Sequence, residues 1–336
     1  MFTYFIVFHV FLSLLSLFFC RKFNILVDQK IEKHKKFSSS KHSHLIGGSL
    51  LFIFLIYYYS FIEENLEVLY LLFSIYFLGL MSDLKKINSV SLRFFIQLIL
   101  ILSFTKILNI EIISTKIDFL DNLLEFNFFN VFFVAFCLLV LVNGSNFIDG
   151  INGFTISYYL IIFLILLLGF NNLIIDEKLL INVSSILFIL LLINLTGYIY
   201  LGDSGSYLLS LFVGIFLINF ASNNQSISPY FIIVLLWYPC FELLFSMLRR
   251  SLNEINSYKP DTFHLHHLIF KKLSSLFGTN NKLITHGITT ISINSYNLFI
   301  FIISINFIYN SDILIAILTV NIILYILLYS YLKKEN

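Results

Sequence analysis

The chain has 336 residues, of which 59% are hydrophobic and 12% are charged, and its formal net charge is +2. Soluble globular domains carry about 25% charged residues, so this composition excludes an ordinary soluble protein. The mean hydropathy of +0.91 and repeated apolar runs of spanning length predict an all-α, polytopic membrane protein. The runs are continuous rather than alternating, which excludes a β-barrel.

Eleven apolar segments are long enough to be transmembrane helices. They cover about residues 2–20, 45–62, 66–81, 92–110, 128–142, 154–170, 181–199, 205–220, 229–247, 295–310 and 313–332. The first segment lacks a preceding basic stretch and a small-residue cleavage site, so we expect a retained span rather than a cleaved signal. Cys20, Cys137 and Cys240 lie in apolar runs, where we expect buried thiols without a disulfide framework.

The basic residues indicate the side of the membrane on which each loop lies. If the first loop is cytoplasmic, all but three of the 21 Lys and Arg residues fall on that side, the exceptions being Lys106, Lys116 and Lys178. This bias predicts a periplasmic N-terminus and a cytoplasmic C-terminus. The main cytoplasmic loops would be 21–44, 82–91, 143–153, 200–204 and 248–294. The acids of the opposite side show no recurring pattern, and we expect no site there.

Residues 141–154, L-V-N-G-S-N-F-I-D-G-I-N-G-F, interrupt two apolar runs with polar side chains. Asn143, Asn146, Asp149 and Asn152 follow one another at intervals of three residues, which places them near one face if the segment is helical. A carboxylate and three amides beside a membrane span are costly unless they bind something. A polar turn between two helices explains the same residues, because Asn and Gly are typical turn formers. Both interpretations stay open at this point.

Two further acids and an arginine pair lie on the same predicted side. Asp83 ends a span in G-L-M-S-D-L, where a helix cap is the plainest interpretation. Asp203 stands in L-G-D-S-G-S and is also suited to capping. However, the glycines on both sides of it favour close approach of a ligand to the backbone. Arg249 and Arg250 follow the ninth span and suit phosphate oxygens.

Three of the eight histidines, His264, His266 and His267, fall within one tetrapeptide. Such a cluster has the ligand type of a zinc site, but no cysteine or further histidine accompanies it at a useful spacing. Histidine as a phosphate-binding donor or proton carrier is the better interpretation. The three acids offer oxygen ligands without thiols, which favours Mg²⁺, or Mn²⁺ as an alternative.

Four motifs, taken in chain order, resemble those of the polyprenyl-phosphate N-acetylhexosamine-1-phosphate transferases of glycosyltransferase family 4. They are G-L-M-S-D-L near Asp83, N-x-x-N-x-x-D-G-x-N-G at 143–153, G-D-S-G-S at 202–206 and P-D-x-x-H-x-H-H at 260–267. The resemblance implies a single integral-membrane catalytic domain over residues 1–336. Its reaction would move a sugar-1-phosphate from a UDP-sugar to polyprenyl phosphate and release UMP. The span count resembles the undecaprenyl-phosphate branch that initiates O-antigen, common-antigen or teichoic-acid linkage lipids.

The resemblance also implies a role for each site residue. Asp203 would be the Mg²⁺ ligand, and the catalytic residues would be Asp83, Asp149 and His264. Substrate-binding residues would be Asn143, Asn146, Asn152, Tyr200, Arg249, Arg250, His266 and His267. Asn152 and Tyr200 would contact the uracil, and the arginines the sugar phosphate. The expected partners are a UDP-sugar, a polyprenyl phosphate lipid and the membrane, with a homodimer suggested by relatives and no nucleic acid.

Several positions depart from the family pattern. The family has paired acids where this chain has Ser82-Asp83, and an acid where it has Asn152. The first loop matches a basic pattern only loosely around Lys33 and His34. A serine lacks the charge of a carboxylate, so an impaired relative acting as a scaffold is one alternative. A transporter is another, although transporters place acids near the bilayer midplane and these acids lie at span ends.

Overall fold

The computed structural model describes residues 2–27, 43–63, 65–169, 173, 176–252, 263–277 and 281–335. Within these ranges the chain is all-α and forms no β-strand. The helices are α1 Phe2–Phe23, α2 Gly47–Phe61, α3 Leu66–Asp83, α4 Val90–Ile107, α5 Asp118–Leu124, α6 Asn127–Ile148, α7 Phe154–Gly169, α8 Glu177–Leu195, α9 Gly202–Asn223, α10 Pro229–Leu252, α11 Leu265–Phe277, α12 Lys282–Ile305 and α13 Ser311–Glu335. The loop pattern around Lys33 and His34 lies outside the described ranges, as do Pro260 and Asp261 of the fourth motif.

Nine helices of the described chain are long and apolar enough to cross a membrane, namely α1, α3, α4, α6, α8, α9, α10, α12 and α13. Two shorter apolar helices, α2 and α7, coincide with the other two predicted apolar segments. The prediction of an all-α, multi-pass membrane protein is therefore confirmed. All three cysteines are free, but only Cys20 is buried as expected, whereas Cys137 and Cys240 are half-buried.

Helix α6 is longer than its predicted apolar segment, because its polar last turns are bonded inside the bundle. Asn143 Nδ2 donates to Gln97 Oε1 of α4 at 3.0 Å. Asn146 Oδ1 accepts from the Ser206 hydroxyl of α9 at 3.0 Å. These partners satisfy the amides, so the helix continues to Ile148 and only residues 149–153 form the connection to α7.

Helix α12 begins at Lys282, whereas the predicted apolar segment begins near residue 295. The first half of the helix is polar because it binds the backbone that follows α6. The Thr290 hydroxyl donates to the Asn152 carbonyl at 2.8 Å, and Asn294 Nδ2 donates to the Phe154 carbonyl at 3.1 Å. A second helix, α11, also lies within the predicted loop 248–294.

Helix α9 is the most enclosed of the candidate spans, with 78% of an apolar 18-residue stretch buried. Its first turns lie directly against α2 and α3 at glycines. A Cβ atom added at Gly48 would lie 2.4 Å from the Gly205 nitrogen, and one added at Gly79 would lie 2.4 Å from the Ser204 Cα. Because glycine has no side chain, Gly48 and Gly79 permit close packing of the helices. This packing fixes the start of α9, where Asp203 lies, against α3.

Candidate active site

Asp203 lies in the first turn of α9, where this helix meets α3 and α4. Its Oδ2 accepts hydrogen bonds from the Ser82 hydroxyl at 2.5 Å and from Arg93 Nη1 at 2.6 Å. Arg93 Nη1 also donates to the Ser82 hydroxyl. The Asp203 side chain is 26% exposed. Asp203 is thus an accessible carboxylate whose charge is balanced by one arginine and whose position is fixed by two donors.

Asp83 contacts the same helix start but binds its backbone. Asp83 Oδ1 accepts from the Asp203 N–H at 2.9 Å, and Oδ2 accepts from the Ser204 N–H at 3.0 Å. The first N–H groups of a helix have no partner within the helix and carry partial positive charge, which a carboxylate satisfies. Asp83 is therefore a helix cap, but it caps α9 from the end of α3. Its catalytic role stays a prediction.

We expect Asp83→Asn to lower the free energy of unfolding by about 1–2 kcal/mol, the usual cost of losing a helix cap. The amide keeps one acceptor oxygen and turns an NH₂ donor toward a backbone N–H donor, which leaves one N–H of α9 without a partner. Reversible unfolding in detergent measures the change. Glu67→Gln, an exposed acid in the first turn of α3, is the control. Unchanged stability with complete loss of activity would indicate a chemical role instead of a cap.

Asp149 ends α6 and begins the connection to α7. Gly153 closes this connection with φ +78°, a backbone conformation that favours glycine. Desolvation raises the pKa of the Asp149 carboxyl well above its ordinary value, and the nearby charges of Asp203 and Asp83 add to the effect. The three acids, which are distant in sequence, therefore lie in one electrostatic cluster. A cation bound beside Asp149 would reverse this rise in pKa.

The connection between α6 and α7 is held by bonds to its backbone. The Asn152 N–H donates to His286 Nδ1 of α12 at 3.2 Å, and the Gly153 N–H donates to Asn194 Oδ1 of α8. Asn152 is 7% exposed. The four-residue polar row of the sequence is thus divided between two environments. Asn143 and Asn146 bond within the helix bundle, whereas Asn152 lies in a loop fixed by α8 and α12.

His264, His266 and His267 are all buried where α11 begins. His264 Nδ1 lies 2.9 Å from Glu242 Oε1 of α10. Glu242 is fully buried, and its other oxygen accepts from the Tyr325 hydroxyl of α13 at 2.7 Å. A buried carboxylate bonded to Nδ1 orients the imidazole and selects its tautomer. Glu242 and Tyr325 therefore fix His264 in position.

The histidine cluster packs directly on the loop that follows α6. A Cβ atom added at Gly150 would lie 2.4 Å from His267 Nε2. The His264 ring centroid lies 5.2 Å from that of Phe147, and the His266 centroid lies 5.7 Å from that of Phe154. The second and fourth motifs, separated by more than a hundred residues, thus form one surface.

We expect Gly150→Ala to lower the free energy of unfolding by about 1–3 kcal/mol and to reduce activity. The added methyl group has no room beside the His267 ring, which is itself buried. Gly287→Ala is the matched control, since a Cβ atom there meets nothing within 4 Å and alanine favours the helix. Thermal unfolding and initial rates measure both variants. Equal behaviour of the two variants would contradict the close packing of loop and histidines.

The arginines and Tyr200, which the sequence predicted as substrate-binding residues, have different surroundings. The buried Arg250 places its Cζ 5.4 Å from the Phe147 ring, beside the loop, whereas Arg249 Cζ lies 5.8 Å from the Tyr329 ring of α13. Tyr200 immediately precedes α9, and its N–H donates to the His44 carbonyl at 2.9 Å. Arg250 thus lies beside Phe147, whereas Arg249 lies near Tyr329 of α13 and near Phe263, the residue before His264.

The sequence interpretation assigned no site role to Arg93 or Glu242. Glu242 carried a usable signal, because an ionisable residue within a membrane span marks a functional site by default. Its partner was not predictable, since His264 lies in a different segment. Arg93 was counted only as a topological marker at a span edge. Its contact with Asp203 depends on the packing of α4 against α3 and α6, both of which pack on α9, and no local pattern shows this arrangement.

The carboxylates of the site are suited to Mg²⁺ that also binds a substrate phosphate. In the described part of the chain, no three His, Cys, Asp or Glu side chains converge as a metal site. Mg²⁺ commonly takes one or two carboxylates and completes its coordination with water and substrate phosphates. Asp203 and Asp149 supply such carboxylates, and a bound cation would offset the burial and the neighbouring negative charges that raise the pKa of Asp149. The residues therefore fit Mg²⁺ bound together with a phosphorylated substrate.

Comparison with known proteins shows a similarity to one family of transferases. The family model described as glycosyl transferase family 4 matches residues 65–221, which include the first three motifs. An undecaprenyl-phosphate alpha-N-acetylglucosaminyl 1-phosphate transferase of Thermotoga maritima is 28% identical over 147 residues, 44% of this chain and 43% of the relative. A probable undecaprenyl-phosphate N-acetylglucosaminyl 1-phosphate transferase of Bacillus subtilis is 27% identical over 223 residues, 63% of this chain and 58% of the relative. The match thus spans about half the length of these relatives. Over residues 65–221, the chain is therefore similar to glycosyl transferase family 4.

Proposed function

We propose that the protein transfers a sugar-1-phosphate from a UDP-sugar to polyprenyl phosphate, with release of UMP. The sugar would be an N-acetylhexosamine, and the lipid would be undecaprenyl phosphate, which the names of both relatives contain. One observation carries the proposal: Arg93 bonds to Asp203, and Asp203 interacts electrostatically with Asp149 of the loop at 149–153. These residues lie at the ends of apolar helices. A site at a helix end is accessible both to a lipid phosphate and to a soluble nucleotide.

The chemistry is an exchange of phosphoanhydride bonds. An oxygen of the lipid phosphate attacks the phosphorus that carries the sugar, a new P–O bond forms, and the bond to UMP breaks. The lipid phosphate is already ionised at neutral pH, so the reaction does not need a strong base in place of the missing acid at Ser82. Phosphoryl transfer depends mainly on positioning and charge stabilisation. The residues of this site are suited to both tasks.

Each residue has a physical role in the proposal. Asp203 and Asp149 would hold Mg²⁺, which when bound neutralises charge on the diphosphate. Arg93 keeps the Asp203 carboxylate in place through its 2.6 Å contact. His264 would donate to a phosphate oxygen, with its ring held by Glu242. Arg250, buried beside the same loop, would add positive charge for the sugar phosphate.

The same proposal gives the protein an orientation in a bacterial inner membrane. The site would face the cytoplasm, with the N-terminus in the periplasm and the C-terminus in the cytoplasm. Basic residues support this arrangement: Arg249 and Arg250 end α10, and Lys333 and Lys334 end α13. Positively charged segments of this kind favour the cytoplasmic side. Cysteine accessibility in intact cells and in inverted vesicles tests the orientation.

UMP release tests the proposed reaction. Membranes or purified protein should release UMP from UDP-N-acetylglucosamine only when both polyprenyl phosphate and Mg²⁺ are present. Retained UDP-sugar binding without release would favour the scaffold alternative that Ser82 suggests. Solute flux without any UMP release would favour a transporter. A panel of UDP-sugars in the same assay then identifies the preferred donor.

A further inference from the structure

A cavity of about 430 Å³ lies at the end of α9 far from Asp203. Its lining includes Asn219 and Asn223 from the last turns of α9, together with the ends of α2, α3 and α8. At about 1.5 Å of rise per residue, these amides lie about 24–30 Å along the helix from Asp203. The cavity is therefore separate from the candidate active site, on the side where the sequence predicted none.

The chemistry of this cavity is acidic on one side and apolar on the other. Glu63 and Asp176 supply carboxylates, whereas Leu72, Phe212 and Phe216 supply apolar surface. The described residues that line it include no lysine or arginine. Desolvation raises the pKa of the Glu63 carboxyl above its ordinary value, and the charge of Asp176 contributes to the rise. The cavity thus presents negative charge without a balancing cation among its lining.

Tyr59 provides a second, independent indication of a ligand. Its side chain lines the cavity and is only 6% exposed. Within the described chain its hydroxyl makes no hydrogen bond, in contrast to the neighbouring Tyr58, whose hydroxyl donates to Asp176 Oδ2 at 2.8 Å. The Tyr59 hydroxyl is therefore available to form a hydrogen bond with a molecule inside the cavity.

We propose that this cavity binds an organic cation, specifically a protonated amine carried on an apolar body. The volume falls in the range of small-molecule sites, about 300–1,000 Å³. A carboxylate and a phenol oxygen accept hydrogen bonds from an ammonium group, while Phe212 and Phe216 of the lining accommodate the apolar part. A bare divalent cation fits less well, because the described residues form no metal-binding cluster. The amine belongs either to a lipid headgroup or to a free solute.

Equilibrium dialysis of radiolabelled hexylammonium against the full chain in a maltoside detergent tests the proposal. The buffer contains no amine, 1-hexanol is the uncharged analogue, and detergent micelles alone are the blank. We expect saturable binding of about one hexylammonium per chain, at least about tenfold tighter than hexanol. Non-saturable uptake, or equal binding of hexanol, would overturn the proposal. Competition by dihexanoyl phosphatidylethanolamine stronger than that by hexylammonium itself would assign a lipid headgroup, and weaker competition would assign a free amine.

Matched variants locate the binding. Glu63→Gln should weaken hexylammonium binding about fivefold, as expected for a partly exposed ion pair, and Tyr59→Phe about tenfold. Glu67→Gln, an exposed acid nearby that does not line the cavity, should leave it unchanged. Thermal unfolding confirms that each variant is folded. Identical affinities of the Glu63 and Glu67 variants would place the binding elsewhere and refute the assignment. UMP release is not part of this readout, so the proposal is tested independently of the proposed reaction.

Discussion

Replacing Asp203 by asparagine is expected to lower kcat/KM for UMP release by about 10³-fold while leaving the helical fold intact. The substitution removes the one negative charge that Arg93 contacts at 2.6 Å and weakens the cluster that would hold Mg²⁺. Loss of a single group that stabilises charge in a transition state commonly costs about 10²–10³ in rate. Steady-state assays over a range of Mg²⁺ concentrations, with circular dichroism of each preparation, measure the effect.

Asp312→Asn is the matched control for this variant. Asp312 also lies in the first turn of a helix, α13, but it is exposed and outside the site. Its substitution should leave kcat/KM within about twofold of the native value. Near-native activity of Asp203→Asn with an unchanged Mg²⁺ requirement would contradict the role of this carboxylate. Activity lost equally in both variants would point to a general effect of helix N-terminal charge.

The second large effect is expected at Glu242. Glu242→Gln should lower kcat by about 10²-fold, because the amide no longer fixes the charge and tautomer of His264. Glu242 is fully buried, and its Oε1 lies 2.9 Å from His264 Nδ1. Because the site is buried, a water molecule should not take over this contact in the variant. KM for the UDP-sugar should change much less than kcat. Initial rates over a range of substrate concentrations separate the two parameters.

A double-mutant cycle shows whether Glu242 acts through His264. If it does, adding Glu242→Gln to His264→Ala should cause little further loss, because the group that Glu242 positions is already absent. Tyr325→Phe, which removes the hydroxyl that donates to Glu242 Oε2, should give a smaller loss than Glu242→Gln. Independent, multiplicative losses from the Glu242 and His264 variants would show that the acid has a purely structural role.

The extent of the fold was predictable because apolar runs determine membrane helices almost by length alone. The predictions fell short where polar residues lie inside helices. Thr290 and Asn294 are polar because they bind the backbone after α6, so the first half of α12 did not resemble a span. Asn143 and Asn146 likewise bond to other helices. Hydropathy records only the side chain and not its partner.

The site was predictable only as a set of residue types. The motifs identified Asp149, Asp203 and the histidines, but the division of tasks among the acids depends on geometry. Asp83 satisfies two N–H groups of α9, a helix that begins more than a hundred residues later. Ser82 bonds to Asp203 and Arg93, so the serine that departs from the family pattern contributes to the position of Asp203. Contacts between distant segments carry this information, and one sequence does not.

The most direct test of the proposed function follows the phosphorus atoms of the donor. UDP-N-acetylglucosamine labelled with ³²P at the phosphate next to the sugar is incubated with the purified protein, Mg²⁺ and undecaprenyl phosphate. Transfer of a sugar-1-phosphate predicts that the label enters the lipid fraction and that the released nucleotide is unlabelled UMP. Asp203→Asn should form both products about 10³-fold more slowly. Labelled UDP with an unlabelled glycolipid would contradict the account, because the sugar would then have moved without its phosphate.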